Sequence, residues 1–337
     1  MVIETDRYME KVPAPKLSVV VPVYNVEDYL RDALMSLLNQ TFIDFEIIAI
    51  NDGSTDGSGE ILNDIAQSDQ RLHSIEQNNR GLAATRNRGF KESRGKYIYF
   101  FDSDDLLDKN AFMEMITFAE RRSFDVLNIG SEAIDEYGKS TKIVRQMQFE
   151  QLTPISGEEL FYKLCRSGNY PANVQKYMYR RDYLMYNRLL FDEGFIHEDE
   201  AFSMKALCLA EKAGALPECF IKKRFRSDSI MSSNRGIRNA EGWAKAVQSL
   251  LEFKHEHDLL STTKKYLDER VYQLSKNIIN LYNELPEEEK QKTSLRELLP
   301  VKIVFSKSFM LSLEICIYRV FVLARNICKK VPGVNRN

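Results

Sequence analysis

Three apolar runs rich in β-branched and aromatic residues, at 17–23, 45–50 and 97–101, each stop dead at a polar cluster. Between them lie stretches of helical spacing: Tyr29, Leu30, Ala33, Leu34, Leu37 and Leu38 after the first run, then patterns over 60–66 and 82–90. A further helix and a strand over 124–130 extend the series. Near-continuous apolar strands alternating with helices predict an α/β fold, a mostly parallel sheet buried between helical layers. In such sheets ligands bind beyond the carboxyl ends of the strands, where all three polar clusters stand. Strands are also expected near Leu189 and over 215–222, and the pattern is helical from Ala240 onward. A domain boundary is expected within 235–242.

Each cluster suggests chemistry. In Asp102-Ser103-Asp104 the two carboxylates are two residues apart, so in extended chain they share a side. Such a pair can hold a hard divalent cation and leave positions open for phosphate oxygens. The competing reading is a solvated acidic turn or a helix cap. Asn51-Asp-Gly-Ser-Thr-Asp-Gly-Ser58 has glycines for tight turns, and Asp52 is placed to accept hydrogen bonds from a base or ribose. It has neither the Gly-Lys-Ser/Thr ending of a phosphate loop nor a dinucleotide fingerprint, which removes the main support for kinase and dehydrogenase readings. His197-Glu-Asp-Glu200 puts three acids at a helix start. Acids there complement the helix dipole, yet flanking Phe195, Ile196, Ala201 and Phe202 turn part of the run toward a packed surface, where a carboxylate could take a proton from a hydroxyl.

Taken together, Pro22-Val-Tyr-Asn25, Asn51-Asp-Gly-Ser-Thr-Asp56, Asn79-Arg-Gly-Leu-Ala-Ala-Thr-Arg-Asn87 and Asp102-Ser-Asp104 resemble, in order and spacing, the family 2 inverting glycosyltransferases of bacterial surface-polysaccharide type. Lys176-Tyr-Met-Tyr-Arg-Arg181, His197-Glu-Asp-Glu-Ala-Phe202 and Arg224-Phe-Arg-Ser-Asp-Ser-Ile-Met231 are similar to that family's later segments, so the resemblance covers roughly 16–234. It implies a glycosyltransferase A-type catalytic domain over 16–236, after an N-terminal extension (1–15) and before a helical region (237–337). It also implies roles. Pro22, Tyr24, Asn25 and Asp52 would frame the nucleobase and ribose, with Arg80, Asn87 and Ser103 as further nucleotide contacts. Asp102 would sit by the ribose or the metal, and Asp104 would ligate the Mg or Mn that holds the diphosphate. Asp199 would be the general base, with Glu198 and Glu200 as alternatives. Arg224, Arg226 and Ser229 would belong to a loop that closes over the diphosphate. Relatives often carry histidine where Arg226 stands; arginine does not ligate metal, so here it would contact phosphate directly.

The implied reaction moves a sugar from a nucleotide-diphosphate donor, of the UDP-sugar class, to a hydroxyl of a glycan or lipid-linked glycan. A sugar nucleotidyltransferase would need a basic, glycine-rich loop after the first strand, and Pro22-Val-Tyr-Asn25 is not one. A non-catalytic scaffold would not need Asp52, Asp102, Asp104 and Asp199 intact.

Charge narrows the partners. With 337 residues and a net charge of −2, the chain lacks the basic surplus of a nucleic-acid binder. Residues 301–337 depart from this average, with seven Lys or Arg against Glu314 alone. There Phe305, Phe309, Leu313, Cys316, Val320 and Leu323 recur at helical spacing. This basic amphipathic stretch suits a helix packed on the catalytic domain or on a second subunit of a homodimer, or the anionic inner face of a membrane, through residues 301–330. The five cysteines are odd in number and include no Cys-x-x-Cys pair, so reduced thiols and a cytoplasmic location are expected. No leader-like apolar core opens the sequence, and no uncharged apolar run is long enough to span a bilayer. Deleting the residues after Pro300 is expected to release the protein from anionic vesicles; a truncated form that sediments with them like the full chain would refute the membrane contact.

Overall fold

The computed structural model describes residues 13–135, 139, 151–168, 170–225, 236–291 and 293–299. Arg226, Ser229 and the basic stretch after Pro300 lie outside them. The first half runs β1 (Leu17–Val23), α1 (Glu27–Leu38), β2 (Phe45–Asn51), α2 (Ser58–Ser68), β3 (Leu72–Glu76), α3 (Leu82–Glu92) and β4 (Tyr97–Phe100), as the alternating pattern predicts. Then follow β5 (Leu106–Leu107), α4 (Ala111–Arg122), β6 (Val126–Ile134), β7 (Gln151–Ile155), α5 (Gly157–Arg166), a 3-10 turn (Val174–Lys176), β8 (Tyr177–Arg180), α6 (Arg181–Tyr186), α7 (Glu198–Cys208) and β9 (Ala213–Arg224). The described chain ends in α8 (Ile237–Glu256), α9 (Ser261–Glu284), α10 (Glu287–Lys290) and α11 (Leu295–Leu298).

All these strands join one sheet in the order β3-β2-β1-β4-β8-β6-β9-β5, with β7 also on β9. β3, β2, β1 and β4 are parallel neighbours, as are β6 and β9. β8 enters antiparallel between β4 and β6, and β5 and β7 are antiparallel to β9. Both faces are covered. Val20, Ile98, Phe100 and Tyr179 turn to a core shared with α3, α5, α7, α8 and α9. Val19, Val21, Tyr97 and Tyr99, alternating with them, turn to a second core under α1, α2 and α4. The chain order reverses between β1 and β4, and the crevice at their carboxyl ends is where a doubly wound sheet receives a ligand.

Two local expectations needed correction. Leu189 is buried but not in a strand. The segment it begins is tied to a side chain instead: Phe191 N donates to Asn87 Oδ1 (2.9 Å) and Asn87 Nδ2 donates to the Phe191 carbonyl (3.0 Å). Conversely, residues 177–180 form a strand, β8, that the sequence reading did not mark; four residues flanked by Lys176 and Arg181 are too few to show a period.

The C-terminal helices pack directly behind α7. Gly242, in α8, lets the helix approach so closely that a Cβ there would lie 2.2 Å from the Ile196 carbonyl oxygen. Gly242→Ala gains about 1 kcal/mol of helix propensity but meets immovable backbone. The clash should win, lowering stability by about 1–3 kcal/mol in denaturant unfolding. An unchanged midpoint would show that α8 does not bear on the segment before α7.

Candidate active site

The loops after β1 and β2 interlock. Asn25, with φ of 49°, accepts at Oδ1 from Thr55 N (2.8 Å), while Asn25 N donates to Ser54 Oγ (3.1 Å) and Glu27 N donates to Asp56 Oδ2 (3.1 Å). Pro22 is in β1 and Tyr24 is exposed on the rim. Asp52, at the end of β2, is buried. Its Oδ1 accepts from Arg80 N (2.8 Å) and Gln77 Nε2 (2.7 Å), and its Oδ2 accepts from Gly81 N (2.8 Å). Gly81 has φ of 85°, a left-handed conformation that lets the loop fold its amides onto the carboxylate. Asp52 therefore fixes the entrance to α3. From there Arg80 Nη2 donates to Glu193 Oε2 (3.3 Å) and Asn87 Nδ2 to Glu193 Oε1 (3.0 Å), holding the irregular segment before α7.

The centre of the site is Arg86, on the buried face of α3 with Ala83 and Phe90. Its guanidinium is almost wholly enclosed. Nη1 donates to Glu198 Oε1 (2.5 Å) and Nη2 to Asp102 Oδ1 (2.8 Å), so one cation ties the first turn of α7 to the loop after β4. Burial works against its charge, but Glu198, Asp102 and Asp199 more than offset this and hold its pKa above the usual arginine value. The pull is mutual: although burial opposes ionisation, Arg86 and Lys223 keep Asp102 below the ordinary carboxylate range.

Lys223, on β9, closes the other side. Its Nζ lies 3.6 Å from Asp102 Oδ2 and 3.7 Å from Asp105 Oδ2. Asp105 is buried, and its Oδ1 accepts from Arg224 N (2.7 Å). Burial, with Asp104 and Asp102 adding like charge against the opposing Lys223, pushes Asp105 up to about 7. Turned with its nitrogen toward them, the buried Gln175 amide donates to Asp105 Oδ2 (2.9 Å) and Asp102 Oδ2 (3.3 Å). Ser103 is buried between the aspartates, and Asp104 is half-buried beside them. The buried Arg224 donates from Nε to the Asp104 carbonyl (3.1 Å) and stands over the Tyr29 ring, 5.0 Å from its centre.

At the start of α7 the three acids have different fates. Glu198 is taken by Arg86. Glu200 is taken by Arg270 of α9, which grips it with two nitrogens. Asp199, between them, has no hydrogen-bond or ion-pair partner among the described residues. Burial, and then Glu198, Glu200 and Asp102 against the opposing Arg86, push its pKa up to about 8. His197 is structural: its ring stacks on Trp243 at 4.9 Å and its Nε2 is 2.9 Å from Asn239 Oδ1.

The structure thus gathers Asp102, Asp104 and the 198–200 run around Arg86 and Lys223, and makes Asp52, Arg80 and Asn87 the frame beside them. The sequence reading assigned no role to Arg86, Lys223, Asp105, Gln175 or Arg270. For Arg86 a signal was present: it falls at i+3 from Ala83 and i−4 from Phe90, an arginine on an apolar stripe. Arg86→Met would leave Glu198 and Asp102 buried without their cation and should cost about 3–5 kcal/mol of unfolding free energy. A loss under 1 kcal/mol by denaturant titration would mean that the bridge does not hold the site together.

The comparisons agree with this architecture. The family model described as glycosyl transferase family 2 matches residues 18–189. The uncharacterized glycosyltransferase EpsJ of Bacillus subtilis is 33% identical over 259 residues, 75% of this chain and 74% of that protein. The putatively named EpsH of the same organism is 31% identical over 75% of this chain and 73% of its own length. Glycosyltransferase GlyA of Streptococcus pneumoniae is 30% identical over 64% of this chain but only 31% of its own. Among solved structures, S. aureus TarS 1–349 in complex with UDP-GlcNAc superposes with a TM-score of 0.62 at 22% identity, covering 83% of this chain and 76% of that one. Mannosyltransferase PcManGT from Pyrobaculum calidifontis, in complex with GDP-Man and Mn2+, does so at 0.56 and 14%, covering 95% and 89%. The family model matches half of the chain, 18–189; the chain belongs to glycosyl transferase family 2.

Proposed function

We propose that the chain transfers a sugar from a UDP-sugar to a hydroxyl of a glycan or lipid-linked glycan, inverting the anomeric centre, with Asp199 as general base. The observation that carries the assignment is the pairing pattern at α7: Arg86 and Arg270 occupy the two neighbouring acids and, among the described residues, leave the Asp199 carboxylate without a partner. An unpaired carboxylate whose pKa is near neutrality accepts a proton from an attacking alcohol far better than one locked to an arginine. Attack from the face opposite the leaving diphosphate then inverts the carbon in one displacement. The UDP and UDP-GlcNAc complexes of TarS support the donor class. A surface polysaccharide is the product this reading favours, in keeping with the resemblance of the motifs.

Asp104 is the proposed protein ligand for Mg or Mn. Asp102 already gives one oxygen to Arg86 and the other to Lys223, so it suits the ribose side of the donor. No group of three or more His, Cys, Asp or Glu side chains gathers for a metal among the described residues. That fits a hard cation that would take most of its oxygens from the diphosphate and water, and PcManGT was solved in complex with GDP-Man and Mn2+. Such a cation, when bound, offsets charge growing on the leaving diphosphate. Arg224 is assigned to holding the Asp104 loop, since its guanidinium is directed to that loop's carbonyl and to α1. Asp52 orders the Arg80-Gly81 amides that border the nucleotide.

Only the ionised form of Asp199 accepts a proton. Because its pKa is raised to about 8, kcat/KM should climb roughly tenfold per pH unit below that value and level off above it. Asp199→Asn should lower turnover by about 10²–10⁴-fold and leave UDP affinity intact. Asp104→Ala should weaken UDP binding in Mn2+ and leave binding in chelator unchanged. A panel of nucleotide sugars, scored for metal-dependent hydrolysis, identifies the donor; full turnover by Asp199→Asn would end the assignment of the base.

A further inference from the structure

The family match stops at residue 189, and α7 with its acidic run lies beyond it. What holds that run is largely the C-terminal helices. Arg270 of α9 donates from Nε to Glu200 Oε2 (3.0 Å) and from Nη2 to Glu200 Oε1, a two-pronged geometry that fixes the carboxylate plane. Asn239 and Trp243 of α8 hold His197, the residue that begins the helix in a left-handed conformation with φ of 65°. Ser249 of α8 accepts from Lys205 Nζ (2.6 Å) and donates to Asp192 Oδ2 (2.6 Å), bracing α7 from its far side.

Glu200 is buried and immediately follows Asp199. With no cation of its own, it would compete for the proton and raise the charge around the base. We propose that Arg270 is a positioning residue for the transfer reaction: by pairing with and clamping Glu200, it keeps Asp199 as the one carboxylate of the run without a partner among the described residues. The helical C-terminal region is on this account part of the catalytic apparatus. The inference rests on the reading of Asp199 as the base.

Several charges face Asp199 from the elements around it. Glu198 and Glu200 come from its own helix, Arg86 from α3, Asp102 from the end of β4, Tyr179 from β8, Lys223 from β9 and Arg270 from α9. Changing the Glu200–Arg270 pair alters the field at the base without touching the others. Opposite changes should therefore move it in opposite directions.

The test is the pH profile of metal-dependent UDP-sugar hydrolysis, which needs no identified acceptor. Arg270→Met, leaving Glu200 negative, should shift the acidic limb of kcat/KM upward by roughly one pH unit. Glu200→Gln, leaving Arg270 positive, should shift it downward. The double variant should return it close to the wild-type position, and Arg270→Lys should fall between wild type and Arg270→Met. UDP affinity should stay within about twofold throughout. If Arg270→Met does not fold, as judged by circular dichroism, Glu200→Gln alone decides through the direction of its shift. A limb that stays put in Glu200→Gln, or that remains displaced in the double variant, overturns the proposal. Asp199→Asn, assayed in parallel, separates the two claims: if it is inactive while these limbs do not move, the base assignment stands and the role of Arg270 falls.

Discussion

A single buried guanidinium organises this enzyme. Arg86 stands where α3, the end of β4 and the start of α7 converge, and its two nitrogens bind acids from the latter two. A charge so enclosed is costly unless its neighbours answer it, and here two carboxylates do so directly while a third adds to the field. Removing Arg86 would leave Glu198 and Asp102 buried without their shared cation. That mutual dependence joins the donor side of the cleft, through Asp102, to the proton-accepting side, through α7.

Around that bridge the other acids are sorted by partner. Asp52 spends both oxygens on backbone amides and a glutamine, which makes it architecture for the α3 entrance. Asp102 is shared by Arg86 and Lys223, and Glu200 belongs to Arg270. Asp105 is sunk against Lys223 and the Arg224 amide, with its pKa raised. On the proposed mechanism Asp104 holds the metal and Asp199 takes the proton. Function thus follows less from the presence of acids than from which of them the basic residues occupy.

Much of this was legible in the sequence. Uninterrupted strands such as 45–50 announced a sheet buried on both faces, and the polar clusters marked their carboxyl ends. The acidic run at 197–200 was visible too, but choosing among its members was not, because the deciding partners, Arg86 and Arg270, are 112 and 70 residues away from the acids they bind. Antiparallel β8 was missed because it is short and reads as an aromatic, basic stretch. Leu189 read as strand because it lies in a short apolar run, and a side-chain clamp from Asn87 onto Phe191 took the place of a sheet partner. Lone ion-pair partners such as Lys223 carry no periodic signature at all.

The account turns on a free Asp199 facing a donor anchored near Asp104. A crystal structure of the protein with UDP and Mn2+ examines this directly. The account predicts the cation bound by Asp104, the diphosphate within the cleft between Asp104 and Asp199, Arg86 still bridging Glu198 and Asp102, and Asp199 without an arginine partner. Nucleotide density away from this cleft, or an arginine paired with Asp199 in place of Glu198, would contradict it.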